Sequence, residues 1–162
     1  MNNSTRLART TAPDTYLFLG VKMRILLGSD QTGGQFCMVE GTMPAGEAPP
    51  MHLHQREDES MLQVEGELEV TIGDDVFVLS PGQTYFAPRG IPQRLRNIGN
   101  GPARSIAVMT PGGFDKLIAR IGIPLRDGEP MPAPAPPTPE QMAGVMAAMS
   151  EFGIEVFPPS PT

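Results

Sequence analysis

The chain holds only two histidines, and both fall in one short segment, His52-Leu53-His54. Five residues separate Gly46 from His52, four separate His54 from Glu59, and six separate Glu59 from Gly66. Neutral imidazoles and a carboxylate are the donors that divalent transition metals take. Residues two apart on a strand point to the same side, so His52 and His54 share a face if the segment is extended. The spacing therefore proposes a metal site, with Glu59 returning to it across a short turn.

Such a site needs strands to hold it, and the sequence supplies them. Short apolar or alternating runs at 16–19, 22–27, 35–43, 60–64, 67–72, 75–79, 84–87, 93–97 and 104–110 read as strands. Turn residues fall between them at Gly33-Gly34, Glu65-Gly66, Gly73-Asp74, Pro81-Gly82 and Arg89-Gly90. The cleanest alternation is 67–72, which sets Leu68, Val70 and Ile72 on one face and pairs through Gly73-Asp74 with the run ending at Leu79. Many short strands at this spacing predict an all-β sandwich or barrel.

Beyond Thr110 the pattern changes. Phe114, Leu117, Ile118 and Ile121 stand at helical spacing and predict a short helix over 113–121, stopped by Gly122 and Pro124. A proline-rich stretch at 130–139 reads as an extended connector. A second helix follows over 140–152, with Thr138 as N-cap, Pro139 at its first position and a packing stripe of Met142, Val145, Met146 and Met149.

Composition narrows the function. The 162 residues suit one domain, and a net charge of −6 argues against a phosphate-backbone partner. Arg89, Arg94, Arg96 and Arg104 form the densest basic group and read as solvated surface. The single Cys37 makes no intrachain disulfide, fits a reducing compartment and reads as a small core residue. No run approaches a membrane span of about 20 apolar residues, and the first fifteen residues lack the apolar core of a signal peptide, so a cytoplasmic location is expected.

The pattern from Gly46 to Gly66 resembles the first motif of the cupin superfamily at every position. A second cupin motif follows, with Gly82, Pro88, Gly90 and Asn97 at matching intervals. At the position of that motif's histidine the chain has Gln93. The resemblance covers roughly 16–110 and implies a cupin-type jelly-roll β-barrel with C-terminal helices: an N-terminal arm at 1–14, the barrel at 15–110, and helices with the proline-rich connector at 111–162.

It also implies that His52, His54, Glu59 and Gln93 surround one divalent transition metal (iron, manganese, nickel or zinc), with Glu57 and Asp58 left as a solvated acidic turn. A carboxamide oxygen is a weaker and harder donor than imidazole nitrogen, so Gln93 either coordinates, bonds a metal-bound water, or weakens the site. If Glu59 and Gln93 point inward, so do Met61, Gln63, Leu95 and Asn97. Met61, Gln63 and Leu95, together with Tyr85, Phe36, Met38 and Met109, are the candidates for a substrate-pocket wall.

The closing segment Pro111 to Phe114, helix, proline-rich connector and Gly153 to Glu155 is similar to bacterial quercetin-dioxygenase-like cupins. That similarity implies a metal-dependent dioxygenase acting on a small enolisable or aromatic molecule, with Glu59 as ligand or catalytic base. An isomerase or cyclase without redox chemistry is the second reading, and a non-catalytic small-molecule-binding barrel the third. The resemblance also implies a homodimer.

Overall fold

A computed structural model describes residues 12–126, 128–129, 132 and 137–157. Most of the arm and much of the proline-rich connector lie outside the described residues. The strands are β1 (Thr15–Phe18), β2 (Val21–Leu27), β3 (Cys37–Met43), β4 (His52–His54), β5 (Asp58–Glu65), β6 (Leu68–Ile72), β7 (Asp75–Leu79), β8 (Thr84–Ala87), β9 (Gln93–Asn97) and β10 (Ala103–Thr110). Helix α1 (Phe114–Ile121), strand β11 (Ile123–Leu125), helix α2 (Pro139–Glu151) and strand β12 (Ile154–Val156) complete the chain.

Two antiparallel sheets form, a seven-stranded one in the order β11-β1-β2-β3-β10-β5-β8 and a five-stranded one in the order β12-β4-β9-β6-β7. The jelly-roll arrangement expected from the sequence is the one present. Strands β6 and β7 pair as a hairpin from Leu68↔Leu79 to Ile72↔Asp75, closed by Gly73 and Asp74. Leu68, Val70 and Leu79 are buried, whereas Val76 and Val78 point outward on the edge strand.

Alternation along β10 buries Ala103, Ser105, Ala107 and Met109 against the inward faces of β3 and β5. On the outer face, Arg104 bonds both Glu40 and Glu65, and Arg24 also bonds Glu40. The motif residues Gly66 and Asn97 fix the barrel's turns. Gly66 has φ 73°, and a Cβ there would sit 3.0 Å from the Ala103 Cα, so the close backbone approach requires glycine. The Asn97 amide nitrogen donates to the carbonyls of Met43, Pro44 and Gly101, and its oxygen accepts from the Gly99 amide. It thus ties the end of β3 to the loops at Pro44 and Gly101.

The C-terminal segment returns to both sheets. Strand β11 extends the larger sheet on β1, and β12 extends the smaller one on β4, in the register Ile154↔His54 and Val156↔His52. The sequence reading foresaw neither strand, each three residues long. Helix α1 buries Phe114, Leu117 and Ile118, and Phe114 meets Phe18 edge to face at 5.6 Å. Thr138 caps α2 in a reciprocal capping box with Gln141, as expected. The stripe expected on α2 is only partly used: Val145 and Met149 pack, but Met142 and Met146 are exposed, because the helix meets the barrel through its C-terminal turns. No helix among the described residues is long and apolar enough to cross a membrane.

Candidate metal centre

His52 and His54 lie on β4 in the five-stranded sheet, and Gln93 lies directly across from His52 on β9. Glu59 arrives from β5 of the opposite sheet after Gln55 to Glu57 carry the chain across the barrel. The two imidazoles meet edge to face with ring centroids 5.4 Å apart. His54 Nε2 stands 3.6 Å from Glu59 Oε2.

Each imidazole is held by its other nitrogen. His52 Nδ1 lies 3.0 Å from the Pro50 carbonyl, which only accepts, so Nδ1–H is the donor. His54 Nδ1 lies 3.4 Å from Glu57 Oε2. Both contacts leave Nε2 as the lone-pair atom, the orientation that partners beyond the ligand shell impose on metal-binding histidines. Burial, with His54 alongside, pushes the His52 pKa below its usual value, which favours the neutral ligand form.

Glu57 was expected to be solvated. It is buried, because its carboxylate serves the His54 ring. Asp58 is half-buried and takes a two-pronged ion pair from Arg89, which holds its pKa at about 2. Sequence spacing marked Glu59 alone among the three acids; nothing in it separates Glu57 from a surface carboxylate.

Glu59 is itself well supported. The Tyr85 hydroxyl donates to Oε1 at 2.7 Å, and Gln93 Nε2 donates to Oε2 at 2.9 Å. Burial, and then the Glu59 charge, push the Tyr85 pKa well above its ordinary value, so the phenol remains a donor. The Gln93 carbonyl oxygen is buried with no partner. Such an atom is costly unless something meets it.

These observations test whether the set suits an ion. Among the described residues no three His, Cys, Asp or Glu side chains form a ready ligand cluster. Ligands at about 2.0–2.2 Å from one tetrahedral ion stand about 3.3–3.6 Å apart, so the 3.6 Å gap between His54 and Glu59 lies at the wide end of that range. The donor chemistry nevertheless fits. Two acceptor atoms, His54 Nε2 and Glu59 Oε2, face each other, His52 presents a third, and the unpartnered Gln93 oxygen is available as a fourth.

The site opens on a cavity of about 120 Å³. Met61, Leu95 and Met109 line it, joined by Phe18, Phe114 and Met149. Tyr85 touches the site through Glu59 and is not part of the wall. Three further expected residues, beside Tyr85, do not line it. Gln63 is buried but turns its amide to the Glu65 and Gly66 carbonyls and accepts from Ser105. Phe36 and Met38 fall outside because β3 directs Cys37, Val39 and Met43 inward instead. The sequence placed Met149 in a packing stripe and did not signal Ile154 and Val156; all three reach the cavity, from α2 and β12.

Comparison with known proteins bears on the family and the fold. Residues 39–109 match the family described as "Cupin domain". Quercetin 2,3-dioxygenase of Bacillus subtilis (strain 168) is 27% identical over 78% of the chain and 37% of its own length. The tetracenomycin polyketide synthase protein TcmJ of Streptomyces glaucescens is 32% identical over 59% of the chain and 60% of its length. Among solved structures, KdgF from Halomonas sp. superposes with a TM-score of 0.57 at 20% identity, covering 65% of the chain and 91% of that protein. The chain spans between 16% and 60% of the length of the curated relatives it matches. The chain carries a cupin domain over residues 39–109, and the flanking strands complete its jelly-roll barrel.

Proposed function

We propose that the barrel is a metal-dependent catalytic site for a small enolisable or aromatic molecule, with dioxygenation as its chemistry. His52, His54, Glu59 and Gln93 would hold the ion. The observation that carries the reading is the pair of imidazoles fixed at Nδ1 and open at Nε2, beside a buried carboxylate at the end of an apolar cavity. A bound divalent ion would supply a Lewis acid for an enol or phenol oxygen and a centre for oxygen chemistry.

The chain's own residues supply the rest. Glu59 serves as ligand or as base; as base, its Oε2 leaves the ion and accepts the acidic proton of the substrate, while Tyr85 holds Oε1 and so sets the carboxylate plane. Gln93 meets the same Oε2 and keeps it from rotating away. Met61, Leu95 and Met109 exclude water around the reacting atoms. The sequence likeness to a quercetin dioxygenase supports this assignment.

A second reading keeps the ion as a Lewis acid only, for isomerisation or cyclisation, and the amide of Gln93 favours it, because no change of oxidation state then has to be supported. Oxygen uptake by metal-loaded protein over a panel of enolisable aromatics separates the two. Uptake coupled to substrate loss supports dioxygenation; substrate turnover without uptake assigns the second reading.

A further inference from the structure

The cavity's lining and size say what it can admit. We propose that, with no ion bound, it takes an uncharged molecule of about one aromatic ring, which enters past Leu19. This inference rests on the cavity being the substrate site and adds the charge and size of what binds there.

Charge comes first. The polar side chains lining the cavity are His52, His54, Glu59 and Ser105, and no lysine or arginine is among the lining residues. In the ion-free chain a carboxylate or phosphate ligand would lose its hydration without a cationic group to replace it, and would face the Glu59 carboxylate. A neutral ring loses little on entering such a wall and gains contact with methionine and aliphatic groups.

Size follows. The cavity is about 120 Å³, whereas an apolar cavity of about 150 Å³ is known to accommodate benzene and drug-sized pockets start near 300 Å³. One ring with a small substituent fills this space. Two fused rings require the wall to move, and Met109 and Met149 are among the flexible side chains that line it.

The entrance is marked by exposure. Of the lining residues only Leu19 and Pro50 are exposed, so the cavity meets solvent there. Leu19 has φ 50° and Gly20 φ 85°, the left-handed pair of a tight hairpin turn between β1 and β2. Such turns select asparagine or glycine at the first position, and a leucine there is strained. Leu19 is 39% exposed, so burial does not account for the choice. An apolar rim on the path to His52, whose ring is held by the Pro50 carbonyl, does.

Methyl NMR of the full chain, labelled at methionine and treated with chelator, tests the proposal. Met23, Met43, Met61, Met109 and Met149 line the cavity, whereas Met142 and Met146 are exposed on α2 and serve as controls. Phenol is expected to shift the cavity methyls saturably, with benzoate at least about tenfold weaker and 2-naphthol admitted only by Met149→Ala or Met109→Ala. Leu19→Asn is expected to raise the melting temperature while weakening phenol. Benzoate binding as tightly as phenol, or 2-naphthol binding the unaltered chain as well as phenol, overturns the ligand class. Unchanged phenol affinity in Leu19→Asn overturns the entry. Metal content is read separately, so phenol binding by a chain that takes no ion overturns the metal reading and leaves this one standing.

Discussion

Tyr85 and Glu59 sit on adjacent strands of the larger sheet, both buried, with the phenol hydroxyl donating to the carboxylate at 2.7 Å. The bond crosses between β8 and β5, where Tyr85 faces Met61 and Glu59 faces Ala87 in the register. One face of the paired strands therefore presents an acid and its orienting donor side by side. A hydrogen bond to a charged group contributes about 1.5–3 kcal/mol. Tyr85→Phe is expected to lower kcat by about 10- to 100-fold, with KM changed much less, because the carboxylate is misaligned and the cavity is not. Steady-state kinetics check the split; a rise in KM alone would place Tyr85 in binding.

Glu57 is expected to govern metal affinity although it does not reach the ion. Its removal frees the His54 ring and leaves Nδ1–H unpaired in a buried place. Losses of about 10- to 100-fold in affinity accompany the removal of such partners. Glu57→Ala should show that loss in a metal titration, and Glu57→Gln, whose amide oxygen still accepts from Nδ1–H, should recover part of it.

How much of this was legible in the sequence depends on what each residue's signal was. His52, His54 and Glu59 came from spacing, and spacing on strands translates directly into a shared site. Glu57 did not, because its role depends on a turn that crosses between sheets, and an acidic triplet reads the same whether buried or solvated. The strand read at 35–43, which runs over Cys37–Met43, was placed but its face was not: Phe36 and Met38 are as apolar as Cys37 and Val39, so a two-residue period cannot choose between them. Pairing decides it, with Cys37 opposite Met109 and Val39 opposite Ala107. The strand Ile154–Val156 is too short to show a period, and only its bonding to β4 makes it one.

Gln93→His is expected to tighten divalent-ion binding, since residue 93 lies across from His52 and an imidazole nitrogen is the better donor for these ions. Calorimetry on the two proteins measures it. Equal affinities would mean that the side chain at 93 serves Glu59 and not the ion.

Cys37 is expected to behave as an inert core group. It is fully buried, and desolvation pushes its thiol up to about 11 from 9.0. The folded pKa lies above the unfolded one, so the contribution to stability is whole below pH 9 and is lost as pH rises from about 9 towards about 11. A thiol reagent at pH 8 should label the unfolded chain quickly and the native chain only as fast as it opens. Cys37→Ala should flatten the alkaline loss of stability; an unchanged profile would assign that loss to other groups.

The central claim is that the two histidines and Glu59 hold an ion on a barrel that folds without it. Untagged protein, stripped and then titrated with divalent iron, manganese, nickel or zinc, measures it directly when set beside His52→Ala. The account predicts about one ion per chain for the unaltered protein, and for His52→Ala no binding with cooperative melting retained. Less than about a tenth of an equivalent of every ion in the unaltered chain, or equal binding by His52→Ala, would contradict it.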